Sequence, residues 1–263
     1  MFLNHFKLVD HPFRETPPSD WLLDDDRFKK ALAALEFFRR QSELALVVGQ
    51  TGVGKTSLVG LFRRGMPKNR YRPVYLHLNG MTPTAFLRLI VVGLGESPRM
   101  GKDRLFLQII DRVENSEAKT VLIFDEAHLI SPQSLTDVRL LACSSAIRSG
   151  ALKILLSGQD SLLDTLKRSA LADLNNRISI RCRLRPLSRP ETSAYIDHRL
   201  RKAGGASKIF VSEAKELVHD YSGGVPRQIN NVATACLIAA ASKGVNQIDA
   251  DFVNETMSNF GLG

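Results

Sequence analysis

The sequence predicts an α/β fold, a parallel sheet flanked by helices and followed by a small all-helical domain. Three observations carry this expectation. Four short apolar runs recur between longer amphipathic stretches: LALVV at 44–48, PVYLHL at 73–78, TVLIF at 120–124 and LKILLS at 152–157. A proline-marked break, LRPLSRPE, separates that pattern from a tail that reads as helix throughout. The 263 residues suffice for one large α/β domain and one small one.

The first element is RFKKALAALEFFRRQ, an amphipathic helix preceded by Asp24, Asp25 and Asp26, acids well placed at a helix N-terminus. The four apolar runs follow as strands, because continuous apolarity over this length suits strands covered on both faces; buried helix fragments are the competing reading. The stretches between them, such as DRLFLQIIDRVENSE, have helical periodicity and make βαβ units. A fifth strand, ISIRCRL, alternates. Ile178, Ile180, Cys182 and Leu184 share one face while Ser179, Arg181 and Arg183 share the other, as in a strand exposed on one side. Helices are expected at about 190–203, 212–221, 226–242 and 249–259. The resulting division is an N-terminal segment at 1–42, a core at 43–187 and a helical domain at 188–263.

Hydrophobic residues make up 44% and charged residues 24%, the balance of a soluble globular protein rather than a disordered one. The N-terminus has neither the apolar core nor the cleavage pattern of a signal peptide. The most apolar helical run, ACLIAAAS, falls far short of the roughly 20 residues that cross a bilayer. Three cysteines, Cys143, Cys182 and Cys236, share no metal-ligand spacing and are expected as reduced, mostly buried thiols in a cytoplasmic protein. The net charge of +9 favours polyanionic partners, nucleic acid first.

The chemistry concentrates after the first and third strands. GQTGVGKTS fits the phosphate-loop pattern G-x-x-x-x-G-K-[ST], with Gly49, Gln50, Thr51, Gly52, Val53, Gly54, Lys55, Thr56 and Ser57 as the nucleotide-binding residues. Its glycines let backbone N–H groups turn toward phosphates, and the following helix presents its positive end. Lys55 is expected on the β- and γ-phosphates of ATP and Thr56 on Mg²⁺. TVLIFDEAH then delivers Asp125 and Glu126 at a strand's C-terminal end, where ligands collect in open parallel sheets. Asp125 is assigned to the Mg²⁺ shell and Glu126 to the attacking water, with His128 a structural neighbour. DEAH also marks one helicase group, but those enzymes use two nucleotide-domain lobes, and this length accommodates one. The guanine-reading string Asn-Lys-x-Asp is absent, which favours ATP over GTP.

In its order of elements the chain resembles AAA+ ATPases, and in its wording the ExeA-type group. HFKLVDHPF, GQTGVGKT, LIFDEAHLI, LLSGQDSLL, LNNRISIRCRLRPLSRPETSAYIDHRLRKAG and SGGVPRQINNVATACLIAA carry the likeness over nearly the whole chain. The resemblance implies a P-loop AAA+ core followed by a helical lid. It implies that Gln159, or its rival Ser157, is sensor 1. Arg177 becomes an arginine finger reaching a neighbouring subunit, and Arg227 becomes sensor 2. It also implies a homo-oligomer, a ring or a helical filament.

The founding member of the group, a type II secretion assembly ATPase, continues into a membrane span and a peptidoglycan-binding domain. This sequence ends at NFGLG, and it is similar to the short, basic, transposon-encoded regulators of the TniB, TnsC and MuB type. That likeness implies assembly on double-stranded DNA with ATP and activation of a DDE transposase, without membrane insertion. Secretion-complex assembly or protein remodelling is the alternative. Two basic groups are candidates for DNA contact: Arg63, Arg64, Lys68, Arg70 and Arg72, and the set Arg181, Arg183, Arg185, Arg199, Arg201 and Lys202.

Overall fold

The computed structural model describes residues 2–23, 25–206 and 208–260. Five strands, β1 (Leu44–Val48), β2 (Tyr71–His77), β3 (Lys119–Asp125), β4 (Leu152–Gly158) and β5 (Ile180–Arg183), form one sheet in the order β2-β3-β4-β1-β5. Every pairing is parallel. The helices are α1 (Phe2–His5), α2 (Asp26–Gln41), α3 (Lys55–Arg64), α4 (Pro83–Gly93), α5 (Lys102–Glu114), α6 (Pro132–Ala142), α7 (Ser161–Leu166), α8 (Ala172–Arg177), α9 (Arg189–Lys202), α10 (Ser212–Ser222), α11 (Pro226–Lys243) and α12 (Ala250–Phe260). The expected fold class is therefore the observed one. Of the three acids expected before α2, Asp26 opens the helix, Asp25 precedes it and Asp24 lies outside the described residues.

The chain divides into two compact units. One comprises Arg27–Thr51 and Lys55–Leu184, the other Met1–Asp26, Gly52–Gly54 and Arg185–Gly263. In the sheet unit, all of β1 and β4 are buried, as continuous apolar runs require. Leu46, Phe124 and Leu156 from the sheet pack with Phe86, Ile90 and Ile109 from α4 and α5 in one core. Each such side chain contributes roughly 1.5–3 kcal/mol on burial. β5 alternates in exposure because it lies at the sheet edge beside β1. The cation of Lys153 is buried inside this unit. The ammonium of Lys153 on β4 donates to the carbonyls of Phe38 and Ser42, at the negative end of α2. Burial lowers its pKa.

The helical unit has its own core, in which Ile196, Leu200, Ile229, Leu237 and Val253 meet Phe6, Phe13 and Trp21 from the N-terminal segment. Ser188 and Glu191 form a capping box at the start of α9, following the proline-rich break. Arg199 is 1% exposed, which removes it from the basic surface expected from the sequence. Its guanidinium donates to the carbonyls of Pro12 and Arg14 and to the hydroxyl of Tyr195.

Cys236 is buried and its thiol is pushed up to about 12, whereas Cys143, expected inside, is exposed. Among the described residues, no helix is long and apolar enough to cross a membrane.

Candidate nucleotide site

Parallel pairing brings the C-terminal ends of β1, β3 and β4 to one edge of the sheet. Val48 pairs with Gly158, and Phe124 with Leu156. The loop after β1, the acids after β3 and the polar turn after β4 therefore converge, although each is far from the others in sequence.

The loop after β1 leads into α3, whose first residue is Lys55. Gly52 and Gly54 have φ of 82° and 108°, a region that side chains other than glycine's rarely enter. Lys55 is buried, and its ammonium donates to the carbonyls of Gly49 and Gln50 at 2.8 and 3.0 Å. The cation is thus held by carbonyls of the loop that precedes it. Thr56, the next residue, donates its hydroxyl to Asp125 Oδ2 at 2.8 Å.

Asp125 is fully buried. A buried carboxylate is costly unless hydrogen-bonded, and this one accepts four donors. Oδ2 takes the hydroxyls of Thr56 and Tyr75, the latter at 2.7 Å. Oδ1 takes the hydroxyl of Ser157 at 2.9 Å and the backbone N–H of Glu126 at 3.1 Å. Burial, together with the bond to Asp125 and its charge, raises the Tyr75 phenol above its ordinary range, so the phenol stays a donor. The Arg63 guanidinium covers the tyrosine ring, 5.0 Å from its centroid.

Glu126 adopts a left-handed backbone conformation, φ 58° and ψ 36°. Such a conformation in a non-glycine residue costs of order 1–3 kcal/mol and is concentrated at functional sites. It ends β3 abruptly and turns the side chain to a half-buried position, with Oε2 3.5 Å from Nδ1 of His128. Gly158 makes room for this turn. A Cβ at Gly158 would stand 3.0 Å from the backbone nitrogen of His128.

Among the residues expected at the end of β4, Ser157 touches Asp125, while Gln159 lies two residues further on and is half-buried. Arg177 ends α8 and is exposed, lining a cavity of about 210 Å³ with Glu43, Cys143 and Arg148. It precedes β5, whose first residue pairs with Ala45 near the start of β1. Arg177 therefore belongs to the sheet edge opposite the phosphate loop, with the five residues of β1, roughly 16 Å, between the two edges. Arg227, in the helical unit, is exposed on the first turn of α11, and its backbone N–H donates to the carbonyl of Gly52 at 3.3 Å.

The donor set suits a hard, oxygen-seeking cation such as Mg²⁺. One hydroxyl and one carboxylate lie within hydrogen-bond distance, and among the described residues no group of three or more His, Cys, Asp or Glu could hold a metal without help. Mg²⁺ commonly takes one or two carboxylates and completes its shell with phosphates and water.

Arg63, Arg64, Lys68 and Arg70 are exposed at and just after the end of α3, while Arg72 is half-buried and donates to the carbonyl of Leu94. The second expected basic group is engaged elsewhere. Arg183 pairs with Asp160, Arg185 with Glu191 and Lys202 with Asp20, and Arg199 is buried.

Tyr75 escapes a reading of the sequence because PVYLHL scans as one apolar run. Its proximity to Asp125 depends on β2 lying beside β3, where His77 pairs with Asp125.

Residues 39–166 match the AAA domain family. The chain is 30% identical over 254 residues to general secretion pathway protein A of Aeromonas hydrophila, an alignment covering 94% of this chain and 46% of that protein. It is 22% identical to an uncharacterized HTH-type transcriptional regulator of Methanocaldococcus jannaschii, covering 83% of this chain and 63% of the relative. The chain thus spans about half to two thirds of the length of these curated relatives. Among solved structures, Drosophila ORC bound to DNA superimposes with a TM-score of 0.74 at 17% identity, covering 98% of this chain and 65% of that one. The ORC2 protein of Aeropyrum pernix, in its ADPNP–ADP complexes, gives 0.70 at 18% identity, covering 94% and 71%.

Proposed function

Because the chain belongs to the AAA+ ATPases of the ExeA type, we propose that it assembles on double-stranded DNA with ATP bound and there regulates a DDE transposase. The observation that carries the DNA contact is the exposed group Arg63, Arg64, Lys68 and Arg70, in a protein of net charge +9. Phosphate contacts supply affinity without sequence information. The transposase partner and a cytoplasmic location rest on the likeness of the sequence to short transposon-encoded regulators.

In the proposed mechanism, the backbone N–H groups of residues 49–57 and the Lys55 ammonium bind the β- and γ-phosphates of ATP. Thr56 Oγ1 and Asp125 would hold Mg²⁺, which when bound supplies positive charge to the phosphate oxygens. Glu126 orients a water and accepts its proton as the water oxygen attacks the γ-phosphorus and the bond to the ADP oxygen breaks. Gln159 just after β4, or its rival Ser157 within β4, serves as the polar residue near that water. Arg177 acts on a neighbouring subunit, because its place at the opposite sheet edge sets it apart from its own phosphate loop. Arg227 takes the sensor 2 role that the likeness of the sequence implies. Turnover therefore requires a homo-oligomer.

The test is a salt titration of binding to unrelated duplexes, with and without a slowly hydrolysed ATP analogue. Binding is expected to need the analogue, to ignore sequence and to weaken with a log–log slope of about −0.9 per neutralised phosphate. Glutamate substitutions at Arg64, Lys68 and Arg70 should weaken it further. A second reading, an ATPase for secretion-complex assembly, is favoured by the 30% identity to general secretion pathway protein A. Undetectable DNA binding at low salt with the analogue present would select it.

A further inference from the structure

An ionised carboxylate has about four lone-pair sites, and at Asp125 protein donors fill all of them. Thr56 and Tyr75 share Oδ2, while Ser157 and the Glu126 N–H share Oδ1. A carboxylate saturated in this way has nothing left to offer a metal ion or the waters around it, so one donor has to leave before Asp125 can serve. Three of the four are poorly placed to go. The Glu126 N–H is backbone on the adjacent residue. Ser157 is fully buried inside β4. Thr56 can ligate a metal through its oxygen while its O–H still donates to Asp125.

Tyr75 is the remaining donor. It is half-buried, and its ring is covered by the exposed side chain of Arg63 rather than by the packed core. A change at Tyr75 therefore disturbs the fold least and frees one position on Oδ2. We propose that Tyr75 is a positioning residue that latches Asp125, competing with the metal shell for Oδ2, and that Arg63 holds the latch closed by covering the ring. Tyr75 acts through Asp125. The inference rests on the assignment of Thr56 and Asp125 to the metal.

The test reads metal binding directly. Mn²⁺, as a paramagnetic substitute for Mg²⁺, is titrated into the protein with a non-hydrolysable ATP analogue and free Mn²⁺ is followed by electron paramagnetic resonance. Tyr75→Phe removes only the hydroxyl, and thermal melting checks its fold. The expected result is Mn²⁺ affinity tighter by about five-fold, the net worth of one hydrogen bond. Unchanged or weaker affinity overturns the latch. Asp125→Asn in the same assay separates the two claims. If it leaves Mn²⁺ binding unchanged, the metal assignment fails and the latch with it; if it weakens binding while Tyr75→Phe does nothing, the latch alone fails. Should Tyr75→Phe not fold, Arg63→Gln on the exposed surface replaces it, with tightening expected and no change contradicting the proposal.

Discussion

The hydroxyl of Thr56 donates to Asp125 across 2.8 Å, although 69 positions separate the two residues. The sheet order accounts for this. β4 lies between β1 and β3, so the loop after β1 and the acid that ends β3 reach the same edge from either side of it. Thr56 meets Asp125 on Oδ2 and Ser157 meets it on Oδ1.

Arg177 and Glu126 should complement each other across subunits. Arg177→Ala and Glu126→Gln proteins are each expected to lose most ATP turnover, and a mixture should recover part of it, because a mixed interface can pair an intact arginine with an intact glutamate. ATP turnover against mixing ratio checks this, with co-assembly verified by light scattering. A flat response in a mixture that co-assembles would return Arg177 to a surface role.

Glu191 should make the helical unit sensitive to acid. Its carboxylate accepts the Ser188 N–H and two bonds from Arg185, which hold its pKa to about 2, below the ordinary 4.5. The depressed value means that its contribution is fully present above about pH 4.5 and is lost as pH falls toward about 2. Arg185 is largely in solvent, which screens the pair, so Glu191→Gln is expected to cost about 1 kcal/mol at neutral pH. Urea unfolding at pH 7 and pH 3 checks this, and the difference between the two proteins should narrow at the lower pH.

Arg199 should anchor the N-terminal segment to α9. Arg199→Ala leaves the carbonyls of Pro12 and Arg14 without their donor and opens space beside Trp21, at an expected cost of about 3 kcal/mol. Arg199→Lys should rescue little, since an ammonium cannot span the two carbonyls and the Tyr195 hydroxyl as the planar fork does. Limited proteolysis should then release the segment before the rest of the chain is cut.

Arg199 also marks where the sequence stops being informative. In YIDHRLRKAG it is one arginine among several cations, and only the packing of residues 12–21 against α9 shows that it faces inward. The strands were legible for the opposite reason. Sheets buried on both faces demand largely apolar runs, and β1, β3 and β4 have them, with Lys153 an exception on β4. The loop at 49–57 and the acid pair Asp125–Glu126 stand out in the sequence because their pattern is local, and the structure brings Thr56 and Asp125 together. The helical tail was equally plain, with α9–α12 within a residue or so of the expected spans. Tyr75 depends on strand order, the left-handed backbone of Glu126 on a turn allowed by Gly158, and neither has a local signature.

The most direct test of the assigned site compares equilibrium ATP binding with steady-state hydrolysis in Glu126→Gln and Lys55→Ala, each measured on one sample. Glu126→Gln should bind ATP as the unaltered protein does and lose hydrolysis by 10²-fold or more, on the order of a general base's contribution. Lys55→Ala should lose binding itself, because it deletes the loop's side-chain cation. Unchanged turnover in Glu126→Gln, or unchanged binding in Lys55→Ala, would contradict the account.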